Sequence, residues 1–402
     1  MYKWTVIYLI NCTDEQAQMT ALEDMFAQIF KYRIPAEVAV VICMNITVKY
    51  MPSIDPKYKI RQGVNPISST TVFYKVSALK NPNGNVYNEL VSIADENPQF
   101  NYTKENVQTY FEDIVIKKGY SGESNMLLTW GHGASFGLFL GSGLPDGDEK
   151  FDMLSIDDLK DAILASFGNN KQQKINLVVM MNCFMQFFDT CFALRQSNVD
   201  FLVASASGAY FSGYNYAVIF STLFNNPNIQ PEALAILATN SIDHSMQDAT
   251  FFTSNLSFCE KMADSMGRLG EALRKELPKQ LVKIKRARDA CDDINVLYNI
   301  LDFFRLTLSI RQQFGDNWQK TLIDEIMTLR NQMLLATYIG SNLQRQQIPI
   351  YPLGYLTCFP PQGGRTMKFY KTFIDPQSPL ASGFSKSNQW AIFTAAFVNS
   401  VP

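Results

Sequence analysis

Six short runs that are apolar on both faces of an extended chain constrain this sequence more than any other feature. Side chains of a strand alternate between the two faces of its sheet, so such runs require a sheet that is covered on both sides. The runs lie at residues 4–10, 38–43, 72–76, 126–130, 175–181 and 199–205. The pattern predicts a mostly parallel central sheet between helical layers, an α/β/α sandwich.

The segments between these runs carry apolar residues at helical spacing. After the first run they are Met19, Leu22, Met25, Phe26 and Ile29. We also expect a helix over about 104–117 and another that starts at Ser155, because Ser155 and Asp158 match a helix N-cap pattern. Helices that join consecutive strands are typical of parallel sheets.

Beyond about residue 230 the pattern changes to long helical segments, at residues 269–273, 281–284, 294–304 and 322–329. We place a domain boundary there. Residues 1–230 would form the α/β domain, and residues 231–402 a helical region packed on it. Residues 141–150 are rich in glycine and acidic residues, which predicts an exposed loop.

Composition excludes several classes of protein. Lysine and arginine number 35 against 37 aspartates and glutamates, so a net charge of −2 gives no basic excess for nucleic acid or an anionic membrane surface. No segment has the ~20 apolar residues of a transmembrane helix, and the run at 4–10 is too short for a signal peptide. We expect a soluble monomer, secreted or periplasmic only if a leader has been removed.

The histidines and cysteines are the first candidates for catalytic residues. Only two histidines occur, His132 and His244, and the seven cysteines lack the paired spacing of a disulfide framework or a zinc site. His244 has no glycine neighbours and is expected at the surface or at a helix cap. Cys191 lies on the aromatic face of a predicted helix, which favours a structural role.

His132 and Cys183 each follow a buried strand directly. His132 lies between Gly131 and Gly133, and Cys183 follows Asn182 after the strand at 175–181. Reactions in open α/β sheets take place at the carboxyl ends of the strands. Each residue could instead have a structural role: His132 could close a turn, and Cys183 could be a buried core residue. Because both follow neighbouring strands at the same edge of the sheet, a catalytic pair is favoured.

The surroundings of Cys183 would favour its thiolate. Helical spacing resumes from Phe184, so the sequence predicts that Cys183 lies at the amino end of a helix, where the helix dipole stabilises an anion. A protonated His132 would add to this effect. The Gly133 N–H could in turn face a reacting oxygen, because its glycine allows close approach.

The ordered landmarks of this chain resemble the clostripain family of caspase-like cysteine peptidases, over nearly the whole length. The matching segments are Gly131-His132-Gly133, Asn182-Cys183, residues 202–205, Gly213-Tyr214-Asn215-Tyr216, Leu353-Gly354-Tyr355, Phe359-Pro360, residues 4–9 and residues 21–25. The resemblance implies a caspase-like fold with residues 1–230 as the catalytic domain, a bacterial source and an endopeptidase that acts on peptides or proteins.

The family's chemistry transfers to this chain by position. The resemblance implies that His132 is the general base and acid, that Cys183 is the nucleophile that forms an acyl-enzyme, and that the N–H groups of Gly133 and Cys183 form the oxyanion hole. It requires no third carboxylate and no cofactor, although some relatives use calcium. Residues 146–149 could bind calcium, but their spacing does not match an EF-hand loop.

Two positions depart from the family pattern. Met181 stands where relatives carry an aspartate that favours arginine or lysine, and Ser207 stands near a second acidic position. With Asn182 and Ser205 these residues form the predicted substrate pocket. An unpaired guanidinium costs several kcal/mol, so we expect this pocket to be neutral or to receive its acid from elsewhere in the chain. Relatives often cleave themselves in the acidic loop, and Lys150 is the candidate position here, although an enzyme with a neutral pocket would not cut after it.

Two other classes of function compete with a peptidase. An inactive homologue that binds peptides or proteins is favoured by the altered pocket and opposed by the presence of both His132 and Cys183. A nucleotide-binding domain fails, because no strand leads into a glycine-rich phosphate loop.

Overall fold

The apolar runs pair side by side in one nine-stranded sheet, as a computed structural model shows. The structure describes residues 1–13, 16–80, 83, 86–134, 137–139, 153–168, 173–209, 213–291, 300–342, 356–358, 375–378 and 381–400. The strands are β1 (Tyr2–Cys12), β2 (Val38–Thr47), β3 (Ser69–Lys80), β4 (Val86–Asn97), β5 (Gly122–Trp130), β6 (Gly133–Ala134), β7 (Gly137–Leu138), β8 (Leu154–Ser155), β9 (Ile175–Met181), β10 (Phe201–Ser205), β11 (Thr250–Asn255), β12 (Ile300–Asp302), β13 (Leu334–Ile339) and β14 (Leu356–Cys358).

Helices lie between most of these strands, as the sequence predicts. They are α1 (Gln16–Phe30), α2 (Met51–Ile54), α3 (Lys104–Thr109), α4 (Ile156–Phe167), α5 (Phe188–Gln196), α6 (Tyr216–Asn225), α7 (Pro231–Asn240), α8 (Cys259–Asp289), α9 (Phe303–Phe314), α10 (Lys320–Met333), α11 (Gly383–Ser387) and α12 (Gln389–Ser400). A π-helical turn over Tyr110–Ile116 continues α3. The Ser155 hydroxyl caps α4 by accepting the Asp158 N–H at 3.0 Å, as the sequence predicts.

The central sheet has the order β13-β11-β10-β9-β5-β1-β2-β3-β4. Its five inner strands, β10, β9, β5, β1 and β2, are parallel, whereas the pairings that add two strands at each edge are antiparallel. The predicted α/β class with a mostly parallel sheet is therefore confirmed.

Side chains of the inner strands alternate between two separate hydrophobic layers, which is why their sequences are apolar throughout. On β1, Val6 and Tyr8 pack in the layer with α1, α2, α6 and α7. Their neighbours Ile7 and Leu9 pack in the opposite layer, with α3, α4, α5 and α8 through α12. Both faces of the sheet are thus covered, as a three-layer sandwich requires.

The region after residue 230 contains helices at the predicted segments 269–273, 281–284 and 322–329, but it also adds two strands to the sheet. The helix predicted over 294–304 is wrong where it can be checked, because residues 300–302 form β12 and α9 begins only at Phe303, while residues 294–299 lie outside the described residues. β11 pairs with β10 and β13 pairs with β11, both antiparallel. β13 follows α10 directly at Leu334, with no glycine or proline to mark the change. The interpretation of this region as a helical layer missed both strands, and the boundary near residue 230 stays a prediction.

A buried carboxyl joins the C-terminal helices to the helix that follows the Cys183 loop. Asp189 of α5 accepts hydrogen bonds from the hydroxyls of Ser382 and Ser385, the latter at 2.9 Å. The neighbouring Gly383 N–H donates to Asp157 at 3.0 Å. Burial raises the pKa of the Asp189 carboxyl to about 6, although the two serine hydroxyls lower it in part.

This contact makes a pH-dependent contribution to stability. The Asp189 pKa is above the ~3.9 of an unfolded chain, so its contribution is complete below about pH 4 and is lost as the pH rises through about 6. We expect the melting temperature of Asp189→Asn to rise relative to that of the wild type as the pH increases from 4 to 7, because only the wild type acquires a buried charge at this position. Thermal unfolding across this range checks it, with the exposed Asp316→Asn as control. A constant difference would contradict this account.

Candidate active site

The register between β5 and β9 places His132 and Cys183 on neighbouring loops. Trp130 pairs with Met181 at the carboxyl ends of these parallel strands, and each functional residue follows two positions later. Both side chains are partly buried. The structure therefore brings the predicted pair to the same edge of the sheet, where open α/β sheets bind their ligands.

Asn182 ties the two loops together through its side-chain amide. The amide nitrogen donates to the backbone oxygens of Gly131 at 2.9 Å and His132 at 3.0 Å. Its oxygen accepts the Thr129 hydroxyl at 2.6 Å. The side chain is 1% exposed, so these bonds form away from water. The residue next to the thiol thus holds the loop that carries the histidine.

The glycines around His132 allow the two loops to approach closely. Gly131 has a φ of +146°, and a Cβ there would lie 2.9 Å from the Asn11 carbonyl oxygen. A Cβ at Gly133 would lie 2.7 Å from the Asn182 Cβ and 3.4 Å from the Cys183 carbonyl oxygen. A side chain at Gly133 would therefore push the two loops apart, and one at Gly131 would clash with Asn11 at the end of β1, which explains the glycines on both sides of the histidine.

The short hairpin of β6 and β7 leaves one N–H beside the loops without a ladder partner. Phe139 N–H donates to His132 O at 2.7 Å, and the next pair along the ladder is Gly133 with Leu138. Hydrogen-bonded and non-bonded pairs alternate in antiparallel ladders, so the Gly133 N–H points away from β7. Within the described ranges, neither this N–H nor that of Cys183 has a hydrogen-bond partner.

The Cys183 thiol lies against the loop that follows β10. Its sulfur accepts the Ala209 N–H at 3.3 Å and lies 3.5 Å from the Ala209 carbonyl oxygen. Burial raises the pKa of the thiol, and the Ala209 N–H lowers it to a smaller extent. The resting state therefore favours the thiol over the thiolate.

The prediction that Cys183 lies at a helix N-terminus is wrong. α5 begins at Phe188, and residues 184–187 form a connecting turn that is anchored to the end of β10 and to the loop after it. Phe184 N–H donates to Ser207 O at 3.0 Å, and Gln186 N–H donates to Ser205 O at 2.9 Å. These bonds replace the first helical turn that the apolar spacing predicted. Phe184 has a φ of +58°, a strained conformation of the kind that clusters at functional sites.

The four predicted pocket residues carry no charge, and three of them bond within the protein. Met181 is 1% exposed and packs in the hydrophobic layer of α6 and α7. The Ser205 hydroxyl donates to Thr250 O at 2.9 Å, and the Ser207 hydroxyl accepts the Thr250 N–H at 3.0 Å. The serines thus fasten β10 to β11, and Asn182 fastens the histidine loop.

Tyr214 also supports the nucleophile strand, a role that the sequence analysis did not assign. Its hydroxyl donates to Met180 O at 3.2 Å, and its ring packs on Phe251 at a centroid distance of 5.3 Å. The only indication in the sequence was that Tyr214 lies in Gly213–Tyr216, one of the segments that resemble the family. His244 is exposed and Cys191 is buried, both as expected.

The remaining predictions fall on residues 141–150. Lys150 and the acidic residues 146–149 lie outside the described residues, so self-cleavage and calcium binding stay predictions. In the part of the chain that is described, no three His, Cys, Asp or Glu side chains are grouped to hold a metal ion. None of its helices is both long enough and apolar enough to span a membrane.

Comparison with models of known protein families identifies one family. The model of the clostripain family matches residues 78–394. No curated protein matches the chain. Among solved structures, a secreted C11 cysteine protease from Bacteroides thetaiotaomicron in complex with an irreversible peptide inhibitor is similar, with a TM-score of 0.60 and 12% identity over 93% of this chain and 97% of the other.

Two further structures share the fold. A secreted C11 cysteine protease of Bacteroides thetaiotaomicron named iotapain has a TM-score of 0.57 at 12% identity, over 84% of this chain and 87% of that one. An inactive zymogen C11 protease from Parabacteroides distasonis has a TM-score of 0.52 at 12% identity, over 91% and 90%. At these identities the likeness establishes the fold.

Replacing Asn182 with aspartate should loosen the histidine loop. The carboxylate cannot donate to Gly131 O and His132 O, and these two carbonyls would face a negative charge. Each buried group left without a partner costs about 1–3 kcal/mol, so we expect Asn182→Asp to lower the free energy of unfolding by roughly 2–5 kcal/mol. Urea unfolding checks the loss, and hydrogen exchange should show reduced protection around His132.

The matched control is Asn228→Asp, which makes the same change at an exposed position. It should unfold as the wild type does. If Asn182→Asp also matched the wild type in both measurements, the amide would not hold the loop.

Proposed function

The chain belongs to the clostripain family of cysteine peptidases, and we propose that it hydrolyses peptide bonds with Cys183 as nucleophile and His132 as general base and acid. The observation that carries the proposal is the Asn182 amide, which joins the two loops at the ends of β5 and β9. A bond network that fixes one loop against the other is expected where two side chains must react together.

The reaction would proceed through a thioester. His132 accepts the thiol proton, and the thiolate attacks the carbonyl carbon of the substrate. The oxyanion that results accepts hydrogen bonds from the N–H groups of Gly133 and Cys183, which have no other partner in the described ranges. His132 then donates its proton to the leaving nitrogen as the C–N bond breaks.

Water completes the cycle. His132 removes a proton from a water molecule, whose oxygen attacks the thioester carbonyl carbon. The C–S bond breaks, the acid product leaves, and the proton returns to the thiol. Because burial raises the thiol pKa, the proton transfer to His132 would accompany substrate attack rather than precede it.

We propose a neutral primary pocket. Met181 is buried among apolar side chains, and the hydroxyls of Ser205 and Ser207 bond to Thr250. None of these positions supplies a carboxylate, so a buried guanidinium or ammonium would stay unpaired, at a cost of several kcal/mol. Uncharged residues should therefore be preferred before the cleaved bond.

A peptide or protein is thus the substrate, and no cofactor is required in this chemistry. We propose that the enzyme acts as a monomer. Two of the similar structures are described as secreted proteases, and the same compartment would apply here if a leader has been removed.

A second candidate is an inactive homologue that binds peptides. The raised thiol pKa and the missing acids of the pocket favour it. Retention of both reactive residues on linked loops favours the peptidase.

Digestion of a fluorogenic peptide library tests activity and preference together. We expect the intact protein to cleave after uncharged residues, and Cys183→Ala to lose cleavage by at least about a thousandfold, because the covalent step is removed. Exclusive cleavage after arginine or lysine would contradict the neutral pocket. Absence of cleavage by the intact protein would favour the peptide-binding alternative.

A further inference from the structure

A cleft of about 370 Å³ opens at the carboxyl ends of β1 and β2, beside the histidine loop. Its lining residues are Asn11, Thr13, Asn45, Thr47, Ile67, Ser69, Asn101, Tyr102, Phe139, Met153 and Leu154. A volume of this size lies in the range of pockets that bind small ligands or short peptide segments. We name it the amide cleft.

The amide cleft shares a wall with the candidate active site. Phe139 lines the cleft, and its N–H donates to the His132 carbonyl at 2.7 Å. The Asn11 backbone oxygen lies 2.9 Å from the position of a Cβ at Gly131. A peptide that extends from His132 toward Asn11 and Phe139 therefore enters the amide cleft directly.

Neutral polar groups line the walls above an aromatic floor. The rings of Tyr102 and Phe139 pack at a centroid distance of 4.2 Å, and the Tyr102 hydroxyl is fixed to Ile10 O at 2.6 Å. The Asn45 amide nitrogen donates to Asn11 Oδ1 at 3.2 Å, while Asn45 Oδ1 has no partner within the described ranges. Asn45 and Asn11 thus hold each other in one wall of the cleft, and the Asn45 Oδ1 atom itself is buried.

The charge of the lining selects the class of ligand. No charged side chain contributes to this cleft among the described residues, so none of the lining residues would form an ion pair with a phosphate, a carboxylate or an ammonium group. Amides and hydroxyls above aromatic rings suit a peptide, which combines neutral backbone N–H and C=O groups with apolar side chains.

The order of strands gives the direction of that peptide. The proposed primary pocket lies on the β9 and β10 side of Cys183, whereas β1 and β2 lie on the other side of His132. The general acid must contact the leaving nitrogen, so the leaving part of the substrate starts at His132. As this part of the substrate extends away from Cys183, it crosses the carboxyl ends of β1 and then β2.

We propose that the amide cleft binds the leaving-group side of a peptide substrate, an inference that rests on the proposed peptidase function. β1 and β2 lie one and two strands beyond β5, or about 5 and 10 Å at the usual strand spacing. An extended chain rises ~3.3 Å per residue, so the second and third residues after the cleaved bond reach the cleft.

Two substrates with the same acyl part test the proposal. One ends in a small fluorescent amine, and the other continues for four uncharged residues after the cleaved bond. We expect the wild type to have a higher kcat/KM on the extended substrate. Asn45→Leu should reduce the ratio of the two kcat/KM values about five- to tenfold, because it replaces a polar lining residue and removes the bond that holds Asn11, and one hydrogen bond contributes about 1 kcal/mol.

The ratio separates a local effect from a folding defect, because misfolded protein loses activity on both substrates equally. Asn101→Ala, at the exposed rim of the cleft, should lower the ratio in the same direction. Asn228→Leu, remote from the cleft, should leave it unchanged. Equal ratios in wild type and Asn45→Leu would overturn the cleft assignment, and absence of hydrolysis of both substrates would overturn the peptidase function and the cleft with it.

Discussion

One buried amide, that of Asn182, holds the candidate active site together. Its nitrogen binds the carbonyl oxygens of Gly131 and His132, and its oxygen binds the Thr129 hydroxyl. Because Asn182 precedes Cys183 directly, any shift of the histidine loop strains the backbone beside the thiol. The sheet sets the approximate distance between the two strand ends through the pairing of Trp130 with Met181, and the amide then fixes the loops.

This arrangement depends on a sheet that is buried on both faces. Five parallel inner strands present their carboxyl ends at one edge, and two hydrophobic layers keep them from sliding, since a slip of one residue would exchange the faces of every side chain. The same edge supplies Ala209, which contacts the thiol, and Asn11, which adjoins Gly131. A residue that holds the loops, Asn182, therefore stands next to the proposed nucleophile, Cys183.

Much of this architecture could be predicted from the sequence, because it follows from local patterns. Runs that are apolar on both faces predicted the inner strands, and strand ends predicted that His132 and Cys183 lie on neighbouring loops. The roles of Asn182, Ser205 and Ser207 could not be predicted, because their hydrogen-bond partners are backbone groups distant in sequence. The helix start at Phe188 was missed for a related reason: bonds from Phe184 and Gln186 to the end of β10 and the loop after it outweigh the apolar spacing that predicted an earlier helix.

The central claim is that Cys183 reacts because His132 activates it. The other cysteines whose side chains are described, Cys12, Cys43, Cys191, Cys259 and Cys291, are buried, so a bulky reagent should distinguish Cys183 from them. The most direct test is labelling with a peptide chloromethyl ketone that carries an uncharged residue next to the ketone, followed by peptide mapping. The account predicts one label per chain, on Cys183, that is lost in His132→Ala; labelling of another cysteine, or an equal rate in His132→Ala, would contradict it.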